Sequence, residues 1–61
     1  MDIKTVVFPS FTLKMTCDKS LNLWIVFYDN HIISESVAYT SYEEADNVFN
    51  EYLTINLEVK K

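Results

Sequence analysis

The stretch Leu21–Tyr28 reads LNLWIVFY, and only Asn22 in it is polar. Its β-branched and aromatic side chains are typical of an extended strand, in which alternate residues point to opposite faces. One face carries Leu21, Leu23, Ile25 and Phe27, and the other carries Trp24, Val26 and Tyr28. A strand that is apolar on both faces should be covered on both faces. The fold therefore depends on which elements cover each face of this strand.

Two segments before this stretch also have strand patterns. Phe11–Cys17 alternates between apolar and polar residues, which predicts a half-buried strand, and the turn formers Asp18–Ser20 follow it. Ile3–Phe8 is rich in β-branched residues and predicts a short edge strand. Pro9 ends or bends that strand, because proline has no N–H to donate to a sheet ladder.

A hairpin is predicted after the stretch. Asp29 and Asn30 would form its tight turn, since asparagine tolerates the positive φ for which glycine is the usual residue. The return strand is predicted at Ile32–Tyr39, although Ser34–Ser36 interrupt its alternation.

The segment after Thr40 predicts one amphipathic helix at about residues 42–53. Ser41 and Glu44 have the spacing of a capping box, in which each side chain bonds a backbone N–H at the start of the helix. An apolar stripe then recurs at three- and four-residue intervals: Tyr42, Ala45, Val48, Phe49, Tyr52 and Leu53. Residues 54–59 alternate with a period of two and favour a short last strand, with a longer helix as the alternative.

These elements predict a single α+β domain over residues 1–61, a small antiparallel sheet of three to five strands packed by one helix. A chain of this length buries only about 60% of the surface that its unfolded form exposes, so its stability is marginal without help. Cys17 is the only cysteine, which rules out an intramolecular disulfide. Oligomerisation is the remaining source of stability, and we expect a homodimer.

The charge of the chain restricts its partners. The net charge is −4, all five bases are lysine, and no basic patch is visible that could neutralise nucleic-acid phosphates. We expect no direct nucleic-acid binding, and a host protein with a basic surface would suit the acidic chain. No segment reaches the roughly 20 apolar residues of a membrane-spanning helix. Met1–Lys4 lacks the pattern of a secretory signal, so we expect a cytoplasmic location, in the host cytoplasm if a phage encodes the chain.

Few residues could carry chemistry. The chain has no glycine, so a phosphate-binding loop or a dinucleotide fingerprint cannot be built in its usual form. Cys17 lies on the apolar face of its strand without an evident activating base, and we interpret it as a buried structural thiol. His31 is the only histidine, and we interpret it as an exposed turn residue rather than a metal ligand or proton donor. We therefore expect no enzyme, no cofactor and no metal site.

Trp24, Val26 and Tyr28 are the predicted protein interface. If the helix covers the face that carries Ile25, little of so short a chain is left to cover the opposite face. A second subunit or a partner would then cover it, through sheet faces or edge strands, and Trp and Tyr are enriched at such interfaces. The alternative is that the terminal segments fold over this face.

A second candidate surface is the acidic outer side of the helix, which carries Glu43, Glu44, Asp46 and Glu51. The helix dipole favours negative charge in the first turns, so a solvated face explains these residues. The alternative is an acidic patch that docks on a basic site of a partner and imitates nucleic-acid phosphates.

Two functions fit these features. The first is a non-catalytic protein-binding module, a small inhibitor that occludes or sequesters a host protein. In size, charge and composition the chain resembles small phage-encoded inhibitors of host enzymes and defence systems, including anti-CRISPR proteins. This resemblance implies an anti-defence role and assigns no residue. The second function is a structural accessory subunit that dimerises.

The layout of Trp24–Tyr28, a return strand and the helix at Ser41–Leu53 is similar to that of small three-strand-plus-helix domains, including the arm-type DNA-binding domains of phage integrases. Those domains use basic residues on the sheet, whereas here the sheet face is apolar and the chain is acidic. The resemblance therefore implies the layout and not the activity.

Overall fold

The computed structural model describes residues 2–58 as four strands followed by one helix. The strands are β1 (Asp2–Val7), β2 (Phe11–Asp18), β3 (Leu23–Asn30) and β4 (Ser34–Tyr39), and the helix is α1 (Tyr42–Glu58). Each strand pairs antiparallel with the next in the chain, which makes one sheet in the order β1-β2-β3-β4. Because α1 packs against one face of this sheet, the predicted α+β fold is confirmed.

The pairing of β2 with β3 determines which side chains face the helix. Leu13 lies opposite Tyr28, and Met15 lies opposite Val26. Residues directly opposite each other point to the same face of a sheet. The buried core consists of Phe11, Leu13, Met15, Val26, Tyr28, Ala45 and Phe49. We call the sheet face toward α1 the inner face and the opposite one the outer face.

The helix covers the face of β3 that carries Trp24, Val26 and Tyr28. The prediction that it covers the face with Ile25 is therefore wrong. A turn at 18–20 would have placed Cys17 opposite Leu21. The observed turn spans 19–22 and places Cys17 opposite Trp24. A shift by an odd number of residues moves every side chain of a strand to the other face. The odd-numbered set of β3, with Ile25 at its centre, therefore lies on the outer face.

Asp18 and Asn22 build this turn. The Asp18 carboxylate accepts hydrogen bonds from the Ser20 hydroxyl (2.6 Å), the Ser20 N–H (3.0 Å) and the Leu21 N–H (3.3 Å). These bonds, the one from the Ser20 hydroxyl above all, hold the pKa of Asp18 below its usual range. Asn22 has a φ of 57°, in the left-handed region that asparagine tolerates better than most residues.

The turn between β3 and β4 lies at His31 and Ile32, just after the predicted position at 29–30. The N–H of Asn30 donates to the carbonyl of Ile33 at 2.9 Å. Its side-chain Oδ1 accepts from the N–H groups of Ile32 and Ile33, at 2.7 Å each. Asn30 therefore shapes the turn through its side chain, and the positive φ suggested for it is found in the turn before β3 instead.

The helix begins where the sequence predicts. The carbonyl of Ser41 accepts from the N–H of Ala45 at 3.1 Å, and its hydroxyl accepts from the N–H of Glu44 at 3.4 Å. Ser41 is thus the N-cap residue, as its spacing to Glu44 indicated.

The helix ends later than predicted, because residues 54–58 continue it. The amide of Asn56 donates to the carbonyl of Tyr52 one turn earlier, at 2.8 Å, and its Oδ1 accepts from the Tyr28 hydroxyl on β3, also at 2.8 Å. These contacts hold the segment against the inner face as helix. The predicted last strand is therefore wrong for 54–58, and Val59 lies outside the described residues.

Candidate protein-binding surfaces

Two of the three predicted interface residues are buried inside the protein. Val26 and Tyr28 are 2% and 6% exposed beneath α1, and Trp24 is half-buried beside them on the inner face. The Tyr28 hydroxyl, which donates to Asn56, also accepts from the Asn30 amide at 3.0 Å. The prediction of a partner-binding face is therefore wrong for Val26 and Tyr28, because the helix of the same chain covers them.

The outer face of the sheet is not covered by a helix in the part of the chain that the structure describes. Its apolar centre is Ile25, which is half-buried, and Phe27, which is 37% exposed. The Lys14 ammonium lies 5.5 Å from the centre of the Phe27 ring, within cation–π reach. A shallow depression of ≈ 470 Å³ beside Phe27 is bounded by Ser34 and Ser36. The outer face is thus an open surface of mixed polarity.

The predicted acidic side of α1 does not hold together as one surface. Asp46 is half-buried and forms an ion pair with Lys4 of β1. Glu43, Glu44 and Glu51 are exposed. The charge of Asp46 is therefore compensated within the protein, and only the three glutamates remain available to a partner.

Two of these glutamates lie on the flank of α1 next to β4. Glu44 and Glu51 are two helical turns apart, on the same side as Val48 and Ile55. A shallow groove of ≈ 310 Å³ is lined by Tyr39, Val48, Glu51, Tyr52 and Ile55. We call it the β4–α1 groove, because Tyr39 belongs to β4 and the other residues belong to α1.

Large apolar side chains are exposed around this groove. Val37 is 47% exposed although it lies on the inner face opposite Val26, because β4 is the outermost strand and the helix does not reach over it fully. Ile55 is 60% exposed. Neither residue is among the interface residues predicted from the sequence. Residue 55 falls in the predicted last strand, and the exposure of Val37 depends on the order of the strands in the sheet. The alternative of a longer helix would have put Ile55 on the same flank as Val48.

A hydrogen bond joins the two sides of the groove. The Tyr52 hydroxyl donates to Oε1 of Glu35 on β4 at 2.7 Å. This bond to a carboxylate, with a smaller effect of burial, raises the pKa of Tyr52 to about 12. The phenol therefore stays neutral and keeps the bond through the physiological pH range.

Cys17 lies within the sheet, and His31 lies at the surface of the protein. Cys17 lies on the inner face as predicted but is half-buried rather than buried, and His31 is exposed in the β3–β4 turn as predicted. Within residues 2–58, no three His, Cys, Asp or Glu side chains are placed to hold a metal ion. Over the same span, α1 is not long and apolar enough to cross a membrane.

No family model matches the chain, and no curated protein or solved structure matches it.

Proposed function

We propose that the chain is a non-catalytic protein-binding module, a small inhibitor that occludes a surface of a host protein. The main support is the number of apolar side chains that are exposed. Among the described residues, ten large apolar side chains are exposed, whereas only seven hydrophobic side chains are buried. Single exposed apolar residues are normal, but contiguous ones mark interaction sites. Ile55 lines the β4–α1 groove, and Val37 lies two residues before Tyr39 on the same face of β4. Phe27 lines the outer-face depression.

The charge of the chain indicates the chemistry of the partner. A net charge of −4 and the exposed Glu43, Glu44 and Glu51 favour a basic protein surface, because complementary charge speeds association and selects the partner. The same charge repels nucleic acid. An inhibitor of this kind would imitate nucleic-acid phosphates on its target, in line with the phage anti-defence class that the sequence resembles.

The separation of Cys17 and His31 supports a non-catalytic role. His31 follows Asn30, which pairs with Phe11 at the first residue of β2, whereas Cys17 lies near the last residue of that strand. At about 3.3 Å per residue, the distance along the strand is roughly 20 Å. A histidine that far away cannot activate the thiol, because a base has to lie within hydrogen-bonding reach of its nucleophile.

Affinity capture from the native host tests the proposal. The tagged chain serves as bait, captured proteins are identified by mass spectrometry, and each is purified and assayed with and without the chain. We expect one partner whose activity falls as the complex forms. A chain that captures no protein, or that binds a partner without lowering its activity, contradicts the inhibitor proposal.

A dimerising accessory subunit is the second candidate, and the outer face favours it. Half-buried Ile25 and exposed Phe27 form its apolar centre, and Lys14 and Asp29 give this face charges of both signs that a twofold-related copy can pair. Sheets stacked face to face pack about 10 Å apart. Light scattering at high concentration tests this candidate. A dimer that Phe27→Asp converts to a monomer supports it, and a monomeric wild-type chain contradicts it.

A further inference from the structure

We infer that the open edge of β4, together with the β4–α1 groove, binds an extended segment of the partner protein in which lysine or arginine flanks alternating aliphatic residues. This inference rests on the proposed protein-binding function, and it names the surface and the chemistry of the partner. In such binding the segment adds a strand to the sheet. Main-chain hydrogen bonds then supply affinity, and the side chains supply specificity.

The backbone of β4 offers hydrogen-bonding groups to such a strand. Asn30 and Ile33 form a hydrogen-bonded pair at the end of the hairpin, and bonded and non-bonded pairs alternate along an antiparallel ladder. Along β4 from that pair, Ser34, Ser36 and Ala38 belong to the non-bonded pairs. Their N–H and C=O groups therefore point away from β3. No other strand of residues 2–58 pairs with this side of β4. These groups are therefore open to a partner strand.

The opposite edge of the sheet is protected against strand addition. The register of β1 is irregular between Asp2 and Lys4, and Lys4 is held by its ion pair with Asp46. Bulges and charged residues are devices that block pairing at sheet edges. β4, in contrast, pairs regularly with β3 from Ser34 to Tyr39 and carries a single charged residue, Glu35. The accessible edge is therefore that of β4.

The side chains beside this edge suit an aliphatic strand. A strand added to β4 points every second side chain toward α1, where Val37 and Ile55 are about half exposed. Apolar side chains placed there remove both residues from water, which is favourable. The other side chains of the strand lie on the outer face beside Ser36 and Ala38, which are small enough to leave them room.

The charges around the groove distinguish a basic segment from a second copy of the chain. Glu44 and Glu51 are exposed on the helix flank, and Glu35 is exposed on β4. Residues 34–58 contain six acids and no lysine, arginine or histidine. Two copies paired edge to edge would bring the same carboxylates together, and like charges oppose such an interface. A segment with lysine or arginine meets charges of the opposite sign instead.

Ser36→Pro tests the edge itself. Proline there removes an N–H that points away from β3 and places its ring against an incoming strand, but the β3–β4 ladder stays intact. Thr5→Pro is the matched control. The bonded pair of Phe8 and Phe11 makes the Thr5 N–H point to the open side of β1 in the same way. Both variants are first compared by circular dichroism and denaturant unfolding, so that binding is measured on folded protein.

The probe is a short labelled peptide of alternating valine and threonine with lysines at both ends, and a second peptide has glutamates in place of the lysines. Fluorescence anisotropy measures binding to each variant. We expect the lysine peptide to bind the wild-type chain and Thr5→Pro equally, and to bind Ser36→Pro at least about tenfold more weakly. Equal binding to Ser36→Pro, or equal binding of the two peptides, overturns the inference.

Charge reversal tests the acidic flank. The double variant Glu44→Lys with Glu51→Lys should bind the lysine peptide about tenfold more weakly at low salt and lose most of the salt dependence. Asp2→Lys is the control, because Asp2 is exposed on β1, at the opposite edge of the sheet from β4. A control variant that weakens binding as much as the double variant would show general charge attraction and would overturn the site.

The same edge variants separate this inference from the proposed function. A host partner that is lost with Ser36→Pro and kept with Thr5→Pro supports the inference. A partner that binds both variants equally overturns the edge but leaves the protein-binding function standing. Failure of the wild-type chain to bind any host protein overturns the function. A wild-type dimer that Ser36→Pro dissociates shows a second copy at the edge and overturns the basic segment as its occupant.

Discussion

The hydroxyl of Tyr52 on α1 donates a 2.7 Å hydrogen bond to the Glu35 carboxylate on β4. The Tyr52 ring also stacks on the ring of Tyr28, with centroids 4.8 Å apart and planes 9° apart. Tyr28 in turn bonds Asn56 one helical turn further along α1. The helix is therefore positioned over β3 and β4 by a connected set of ring and hydrogen-bond contacts, in addition to the apolar core.

The Tyr52–Glu35 bond predicts an alkaline limit to stability. The pKa of Tyr52 is raised from 10.0 to about 12 in the folded chain. A group with a raised folded-state pKa contributes its stabilisation fully below the unfolded pKa and loses it as the pH rises through the folded one. We expect the free energy of unfolding, measured with urea, to fall between pH 10 and 12. Tyr52→Phe should show a smaller fall, and an identical pH profile in the variant would contradict the assignment.

Two neighbouring residues of β3 should differ strongly in how much an introduced charge lowers the free energy of unfolding. Val26→Asp places a carboxylate in the core without a partner, and we expect a loss of more than about 3 kcal/mol, enough to unfold so small a chain. Phe27→Asp places the carboxylate on the outer face beside Lys14 and should cost about 1 kcal/mol or less. Circular dichroism with urea titration measures both. A folded Val26→Asp would mean that the helix does not cover this face.

The positions of the strands and the start of the helix can be predicted from local sequence, because residues within or next to each element determine them. Phe11–Cys17 is apolar on one face only, so its orientation is unambiguous, and Ser41 has a short polar side chain suited to a helix N-terminus. The face of β3 could not be predicted in this way. Both of its sides are apolar, so its orientation depends on the number of residues in the turn before it, and Asn22 belongs to that turn rather than to the strand.

The candidate surfaces were only partly predictable for a related reason. The exposed positions of Glu43, Glu44 and Glu51 follow from helix periodicity alone. The ion pair that compensates Asp46 involves Lys4, at the far end of the chain, and no local pattern indicates it. The groove depends on which strand lies at the edge of the sheet, which is a property of the topology.

Asn22 should be sensitive to the shape of its replacement. Its positive φ is unfavourable for a β-branched residue, because Cβ approaches the backbone too closely. We expect Asn22→Val to lower the free energy of unfolding by about 1–2 kcal/mol, and Asn22→Gly to change it by no more than a few tenths. Urea denaturation of the two variants under one condition makes the comparison. Equal stability of the two would contradict a left-handed conformation at this position.

The N-cap should make a modest contribution. Ser41→Ala removes the hydroxyl that accepts from the Glu44 N–H, and N-cap replacements of this kind cost about 0.5–2 kcal/mol. The bond is long, at 3.4 Å, so we expect a loss near the lower end of that range. Ser41→Asp keeps an acceptor and adds a favourable charge at the helix N-terminus, and it should match or exceed the wild-type stability. Thermal unfolding monitored by circular dichroism measures the series.

The two apolar sides of β3 also bear on how the chain reaches its native state. A hairpin slipped by one residue would offer Leu23, Ile25 and Phe27 to the helix, a set as hydrophobic as the native one, so hydrophobicity alone barely separates the two pairings. The short turn that starts at the Asp18 carboxylate and ends at Asn22 makes the distinction, because it closes only one register. The length of this turn thus disfavours the slipped pairing, which would otherwise be a competing minimum on the folding landscape.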